Sequence, residues 1–223
     1  MNDVLRVAGL HRYSPAVFEL QLERSGLPFV PGDCMALFGA DGRVSRPYSI
    51  ASGTTEPLLR FLIRRMPGGE VSDYLSGLEP GQAVRVSAPF GWFRPGALAH
   101  QRPFVFLATG TGVAPFRSFL RSEAAVQPAA FLYGVRYAAD LVDADWLRQH
   151  GGARFAVSRE AVAGCYQGRI TGLLDQVPLD SRHDYYLCGL DTMIDEVTAW
   201  LEQRGIPIDR IHRECFFNAA YET

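Results

Sequence analysis

Three short motifs combine residue types that suit an anionic ligand carrying a planar ring. The segment 110–115 (GTGVAP) follows a predicted strand and opens a predicted helix, where backbone N–H groups suit a pyrophosphate. In the segment 46–49 (RPYS), the arginine suits a phosphate, the tyrosine can stack on a ring and the serine can hydrogen-bond to a ring nitrogen. The segment 68–72 (GGEVS) offers close approach and a helix start. Taken singly, each motif also has an explanation without a ligand. The segment 110–115 could be a tight strand-to-helix connection, 46–49 a strand with an exposed arginine, and 68–72 a capped turn.

The charged residues exclude several classes of enzyme. The chain has 223 residues, and all 22 of its basic residues are arginine. Without lysine, Schiff-base chemistry, a Walker-type phosphate loop and a protein kinase are excluded. Phosphate groups must therefore be held by arginine, backbone N–H groups or hydroxyls.

The rest of the composition describes an ordinary globular chain. The net charge of −2 gives no reason to expect nucleic acid or an anionic membrane as a partner. No apolar run is long enough for a membrane span, and the N-terminus lacks the pattern of a signal peptide. We therefore expect a cytoplasmic protein, and we expect it to be a monomer.

The four cysteines predict neither a metal site nor a disulfide framework. Cys34, Cys165, Cys188 and Cys215 are too widely spaced for zinc or for an iron–sulfur cluster. Each is expected to be a small buried side chain, with Cys188 reconsidered below.

The first half of the chain, to about residue 95, predicts a small antiparallel β-barrel. Six short runs of apolar or alternating residues are separated by Ser-Pro, Pro-Gly-Asp, Asp-Gly and Pro-Gly turns. One short helix is predicted over residues 72–78, with Ser72 as its N-cap and Glu79-Pro80-Gly81 as its stop.

The second half predicts a doubly wound α/β domain with a parallel sheet. Apolar strand runs alternate with predicted helices at 112–125, after a glycine turn, and at 143–149, 172–176 and 191–204. The boundary is expected within residues 95–102, which predicts domains over 1–98 and 99–223. A ligand of the second domain should lie at the carboxyl ends of its strands.

The order and spacing of the motifs resemble those of the ferredoxin–NADP reductase superfamily over nearly the whole chain. The resemblance rests on Arg46-Pro47-Tyr48-Ser49, Gly68-Gly69-x-x-Ser72, Pro89-Phe90-Gly91, Gly110-Thr111-Gly112-Val113-Ala114-Pro115 and Cys188-Gly189-x-x-x-Met193. It implies an FAD-binding barrel over 1–98 and an NADP-binding α/β domain over 99–223, without a fused iron–sulfur domain.

The resemblance also implies roles for the residues of the first domain. Arg46 would hold the FAD pyrophosphate, Tyr48 after Pro47 would pack on the isoalloxazine, and Ser49 would lie near flavin N5. Ile63 and Arg64 would lie in the strand that lines the flavin. The backbone of Gly69, Glu70 and Val71 and the hydroxyl of Ser72 would complete the pyrophosphate site.

In the second domain, the resemblance places the nicotinamide nucleotide over Gly110, Thr111, Gly112 and Pro115. Cys188 and Gly189 would lie near the nicotinamide, with Met193 completing their motif. Glu214 would be a nearby carboxylate, so that Ser49, Cys188 and Glu214 are the predicted catalytic residues. Phe216 is the predicted aromatic cover of the flavin, with Phe217 and Tyr221 as alternatives.

The resemblance favours NADP over NAD. Ser158 and Arg159 match the Ser-Arg-Glu of NADP-using members, and Arg169 and Arg136 are further candidates for the 2′-phosphate. Alternatively, Arg136 is an ordinary loop arginine that NAD-using members share, with no role in the choice of nucleotide.

The function implied is an FAD-dependent NADPH oxidoreductase. It would move electrons from NADPH through flavin N5 to a one-electron carrier such as ferredoxin or flavodoxin. Three alternatives remain: the NADH-using reductase component of a multicomponent oxygenase, a free-flavin reductase, and an FAD-binding electron-transfer subunit that a partner reduces.

Overall fold

The structure, a computed structural model, describes residues 2–217. The chain forms two compact units. One comprises the residues up to Arg94 together with Ala114–Ser122, and the other comprises Pro95–Val113 together with the residues from Glu123 onwards. The assignment of FAD to 1–98 and of NADP to 99–223 stays a prediction.

The first unit contains a six-stranded antiparallel sheet, which confirms the predicted fold class. Its strands are β1 Asn2–Arg12, β2 Val17–Glu23, β3 Cys34–Phe38, β4 Ser45–Ser49, β5 Leu58–Arg64 and β6 Ala83–Ser87. Their order in the sheet is β4-β3-β6-β1-β2-β5. An isolated bridge between Ile50 and Phe61 joins the chain after β4 to β5, so the two outer strands of this order meet.

The helix α1, Glu70–Ser76, begins earlier than predicted. Gly69 is its N-cap, and Ser72 lies within the first turn. The predicted N-cap role of Ser72 is therefore wrong. The Ser72 hydroxyl instead accepts a hydrogen bond from the backbone N–H of Met66 at 3.0 Å, and it stabilises the turn before the helix.

The helix α2, Ala114–Ser122, packs with the first unit although it lies in the second half of the sequence. The Ser118 hydroxyl donates to the carbonyl of Ser52 at 2.8 Å. A Cβ atom on Gly53 would lie 3.0 Å from the backbone carbonyl carbon of Arg121, so glycine permits the close approach of the helix. Local sequence predicts this helix, but it does not indicate which unit the helix joins.

The second unit contains a six-stranded parallel sheet, as predicted. Its strands are β7 Phe104–Thr109, β8 Ala130–Val135, β9 Ala153–Val157, β10 Tyr166–Gln167, β11 Asp184–Leu190 and β12 Ile211–Phe217. Their order is β10-β9-β8-β7-β11-β12. The sequence predicts all of these strands except β10, which has only two residues.

Helical segments connect these strands. The α-helices are α3 Ala144–Gly151 and α4 Asp191–Glu202, and the 3-10 segments are Gly110–Val113, Ala138–Asp140, Ile170–Gln176 and Ile208–Arg210. The helix predicted over residues 172–176 is thus a 3-10 segment. Within residues 2–217, none of the helices combines the length and the apolar character needed to cross a bilayer.

Candidate functional site

The predicted flavin-binding residues 46–49 form most of β4, which pairs with β3. Arg46 and Pro47 are exposed, so the Arg46 guanidinium is accessible to a ligand. Its Nη1 donates to the carbonyl of Ser45 at 2.9 Å. Tyr48 packs against the core of the unit, and burial raises its pKa to about 12 despite the opposing charge of Arg46. Tyr48 is therefore a neutral, anchored ring.

Ser49, the predicted catalytic serine, is only 2% exposed. Its Oγ lies 3.2 Å from the Sγ of Cys34, in the neighbouring strand β3. Cys34 and Cys188 are buried as predicted, whereas Cys165 is half-buried and Cys215 is exposed, so the prediction was wrong for those two. The contact of Cys34 with Ser49 was not predicted from the sequence. The backbone of Cys34 also exchanges two hydrogen bonds with Phe90, so β3 connects the segments 46–49 and 89–91.

The turn before α1 has a backbone that favours glycine. Gly68 adopts a φ of +72°, in the left-handed region. A Cβ atom on Gly69 would lie 2.9 Å from both the carbonyl oxygen of Met66 and the Oγ of Ser72. A side chain at Gly69 would fill this cradle, which lies at the first N–H groups of α1.

Asp73 stabilises the same turn, a role that was not predicted from the sequence. Its carboxylate accepts hydrogen bonds from the Nε of Arg65 at 2.7 Å and from the backbone N–H of Gly68 at 2.8 Å. These bonds, that of Arg65 first, lower the pKa of Asp73. The available signal was an acidic residue one turn after two glycines.

The cradle lies beside the turn that leads into β4. The Cβ position of Gly39, between β3 and β4, is 3.4 Å from the carbonyl oxygen of Glu70 and 3.7 Å from a methyl group of Val71. The start of α1, with its backbone N–H groups, therefore packs on the turn that leads into β4, the strand that carries the exposed Arg46. These groups fit the phosphates of a dinucleotide.

The two remaining flavin-domain residues lie at the end of β5. Ile63 is fully buried in the core of the unit, so it supports the strand rather than offering an exposed group to a ligand. Arg64 is half-buried.

In the second unit, the segment 109–112 lies directly against the end of β11. A Cβ atom on Gly112 would lie 2.6 Å from the carbonyl carbon of Cys188 and 2.7 Å from the Cα of Gly189. The Thr109 hydroxyl accepts a hydrogen bond from the backbone N–H of Leu190 at 2.9 Å. Both glycine motifs were predicted from the sequence, but Thr109, which joins them, was not.

Cys188 and Glu214 are paired residues of the adjacent strands β11 and β12. Their Sγ and Oε2 atoms are 3.9 Å apart, Cys188 is fully buried, and Glu214 is half-buried. The structure therefore brings together two of the three predicted catalytic residues.

The predicted flavin cover lies just beyond this pair. The register of β12 against β11 shifts between Cys215 and Phe217, so the half-buried Phe216 occupies the bulge. Bulges re-aim side chains. Of the two alternatives, Tyr221 and the side chain of Phe217 lie outside the described residues.

The candidates for the 2′-phosphate gather at the carboxyl ends of β8, β9 and β10. Arg136 follows β8, Ser158 and Arg159 follow β9, and Arg169 follows the turn after β10. The backbone N–H of Arg159 donates to the carbonyl of Arg136 at 2.9 Å, so these two residues are neighbours. Arg159 is exposed, while Arg169 approaches Glu196 at 3.7 Å.

Three other predicted residues are buried. Met193 is 6% exposed within the core of the second unit, a position that favours a packing role. Thr111 is 3% exposed in the 3-10 segment, and Pro115 is buried in the first turn of α2.

Two family models match the chain. An oxidoreductase FAD-binding domain matches residues 11–94, and an oxidoreductase NAD-binding domain matches residues 106–199. The two matches correspond in order to the antiparallel and the parallel sheet.

Relatives with this arrangement include reductases of two kinds. Ferredoxin–NADP reductase B of Sorangium cellulosum is 32% identical, over 94% of this chain and 95% of that protein. The toluate 1,2-dioxygenase electron transfer component of Pseudomonas putida is 28% identical, over 96% of this chain and 67% of that protein. The crystal structure of a ferredoxin NADP+ reductase from Neisseria gonorrhoeae shares the fold, with a TM-score of 0.83, 20% identity, and coverage of 97% of this chain and 99% of that one.

Proposed function

This chain belongs to the ferredoxin–NADP reductase superfamily of FAD- and NAD(P)-binding oxidoreductases, and we propose that it is an FAD-dependent NADPH oxidoreductase that delivers electrons to a one-electron carrier protein. Ferredoxin and flavodoxin are the carriers named for such relatives. The observation that carries the choice of NADPH is the gathering of Arg136, Arg159 and Arg169 at neighbouring strand ends.

The first unit would hold the FAD. Arg46 and the N–H groups of Glu70, Val71 and Ser72 would bind its phosphates, and Gly69 would permit their close approach. The anchored ring of Tyr48 would pack on one face of the isoalloxazine, and Ser49 would lie near N5. Bound FAD would supply the chemistry that joins two-electron hydride transfer to one-electron delivery.

The second unit would hold the nicotinamide nucleotide at the carboxyl ends of β7 and β11. The 109–112 segment would carry the pyrophosphate, and Cys188 with Glu214 would position the nicotinamide. Because Cys188 is fully buried and 3.9 Å from a carboxylate, we assign it a positioning role rather than that of a nucleophile.

The arginines would select the 2′-phosphate. Arg159 is exposed and its planar guanidinium suits bidentate binding of a phosphate oxygen pair. Arg136, whose backbone carbonyl accepts from the N–H of Arg159, would supply a second positive charge. In a site for NAD, an acidic residue would be expected after β8.

A second candidate is the reductase component of an oxygenase. The toluate dioxygenase relative supports it, since this chain aligns with two thirds of that protein. The acceptor would then be an oxygenase or its ferredoxin, and NADH would be the donor.

The purified protein tests the proposal directly. It should be yellow and should release FAD on heating. Under anaerobic conditions, NADPH should bleach the bound flavin much faster than an equal concentration of NADH does. Faster bleaching by NADH would favour the oxygenase component, and no bleaching by either would favour a subunit that a partner reduces. A colourless protein that FAD does not reconstitute would contradict the assignment.

A further inference from the structure

The thiol of Cys34 and the hydroxyl of Ser49 form a buried polar pair inside the antiparallel sheet. The Sγ–Oγ distance is 3.2 Å, and the two residues are 7% and 2% exposed. Either atom can donate, because a thiol and a hydroxyl each carry one proton and lone pairs.

The backbone fixes where this thiol lies. Cys34 is the directly paired residue of Ser49 across β3 and β4. On the other side, its N–H donates to the carbonyl of Phe90 at 2.6 Å, and its carbonyl accepts from the N–H of Phe90 at 2.9 Å. Cys34 is therefore held between β4 and the backbone of Phe90, and its side chain cannot move far from Ser49.

We propose that Cys34 is a positioning residue for Ser49, and that its thiol lets the serine hydroxyl serve as donor or as acceptor in turn. This inference rests on the proposed function, in which Ser49 lies near flavin N5. A flavin presents a lone pair at N5 when oxidised and an N–H when reduced, so a neighbouring hydroxyl must reverse its role. With the oxidised flavin, Ser49 donates a hydrogen bond to the flavin and the thiol can donate one to Ser49. With the reduced flavin, Ser49 accepts a hydrogen bond from the flavin and donates its own to the sulfur.

Removing the thiol would not affect the two arrangements equally. When Ser49 accepts, the loss takes an acceptor from its buried O–H group; when Ser49 donates, the loss takes only a weak donor from one of its lone pairs. A buried donor that loses its acceptor is the costlier case, so the thiol supports the reduced form more than the oxidised form. Removing it should lower the midpoint potential of the flavin.

Cys34→Val keeps an apolar group of similar size and removes the hydrogen-bonding atom. We expect the reduced form to lose about threefold in relative stability, less than the full range for one hydrogen bond because both forms lose a bond, which is about 15 mV for a two-electron couple. The value of kcat should fall by a similar factor, while KM for NADPH changes less than about twofold, since the nucleotide site is untouched. Cys34→Ser should restore both values, because a hydroxyl donates and accepts as the thiol does.

Two controls separate positioning from a general effect on the protein. Cys165→Val makes the same substitution at a half-buried cysteine of the second unit and should leave the potential unchanged. In a Ser49→Ala background, Cys34→Val should cause no further shift, because the pair is already broken.

The potential is measured by dye equilibration on protein whose FAD content and thermal midpoint are recorded. An unchanged potential in a folded, FAD-loaded Cys34→Val protein that NADPH still reduces would overturn this inference alone. If Cys34→Val fails to fold, a shift in Cys34→Ser as large as that in Ser49→Ala would overturn it. Failure of the wild-type protein to bind FAD would instead overturn the proposed function.

Discussion

Arg117 of α2 and Glu19 of β2 form an ion pair in which each side chain is only 2% exposed. Arg60 of β5 approaches the same carboxylate at 2.6 Å, so Glu19 receives two guanidinium groups. The pair fastens α2 to the antiparallel sheet, although that helix follows the 110–113 segment of the parallel-sheet unit. A carboxylate can be buried in such a place because its charge is compensated.

Breaking this pair should destabilise the first unit strongly. Arg117→Leu removes one of the two charges that compensate buried Glu19, and because Arg60 remains, a loss of about 3 kcal/mol in the free energy of unfolding is expected, the lower end for a broken buried pair. Chemical denaturation followed by circular dichroism measures it. The control Asp145→Ala breaks the exposed pair with Arg148 and should leave the midpoint nearly unchanged. Equal effects of the two substitutions would mean that burial of the Arg117 pair is not what stabilises α2.

The same carboxylate should make stability depend on pH. Burial alone would raise the pKa of Glu19. The charge and hydrogen bond of Arg117, together with the hydrogen bonds of Gln21 and Arg60, lower the pKa of Glu19 below its ordinary value of 4.5. Its contribution is therefore fully present above pH 4.5 and is lost as the pH falls through the lowered pKa. The stability difference between wild type and Glu19→Gln should shrink only on acidification. A difference that grows at acid pH would contradict this sign.

Arg159→Ala should raise KM for NADPH about 10- to 100-fold and leave KM for NADH nearly unchanged. The reason is the loss of a charged hydrogen bond to the 2′-phosphate, which NADH lacks. Steady-state kinetics with both nucleotides measures it. Arg154→Ala is the matched control, because Arg154 lies in β9, the strand that Arg159 follows, and its guanidinium donates to Gln176 instead. Arg159→Lys should recover only part of the loss, since lysine cannot bind in bidentate fashion. Equal losses for both nucleotides would argue against NADP selection.

Gly112→Ala should abolish binding of the nicotinamide nucleotide. The new Cβ would lie 2.6–2.7 Å from backbone atoms of Cys188 and Gly189, which must move apart. Titration of the purified protein with NADP, followed by difference absorbance, measures the effect. At Gly77 a Cβ would meet its nearest neighbour at an ordinary 3.7 Å, so Gly77→Ala should bind normally. Unchanged affinity in Gly112→Ala would show that the two segments do not form the site together.

Asp73→Asn should weaken retention of FAD. The substitution removes the charge that holds Arg65 and weakens the bond to Gly68, so the turn before α1 loses its shape. FAD content after gel filtration, and its dissociation constant by flavin fluorescence, should reveal the loss. Asp180→Asn is the matched control, since Asp180 binds the side chain and the backbone of Arg182 in a turn of the second unit. Similar FAD loss in both variants would exclude a specific role for Asp73.

Local sequence was sufficient for much of this protein. Strand periodicity and turn residues predicted both sheets, because alternation and glycine or proline breaks act within a few residues. The glycine motifs marked the start of α1 and the end of β7 for the same reason. The errors were short-range as well: α1 begins at Glu70 rather than Ser72, because the Ser72 hydroxyl binds Met66 and does not cap the helix.

What the sequence by itself determined is therefore the order of the elements and the motifs at their ends; which side chains meet was decided only by tertiary structure. Alternation in β2 places Glu19 on the face opposite Phe18 and Leu20, yet that face is covered by Arg117, 98 residues further along the chain. Ser49 meets Cys34 across two strands, and Thr109 meets Leu190 across 81 residues. Periodicity reports only spacing along the chain. Ion pairs and hydrogen bonds depend on the distance between atoms in space, and that distance is set only when the strands pair and the helices pack.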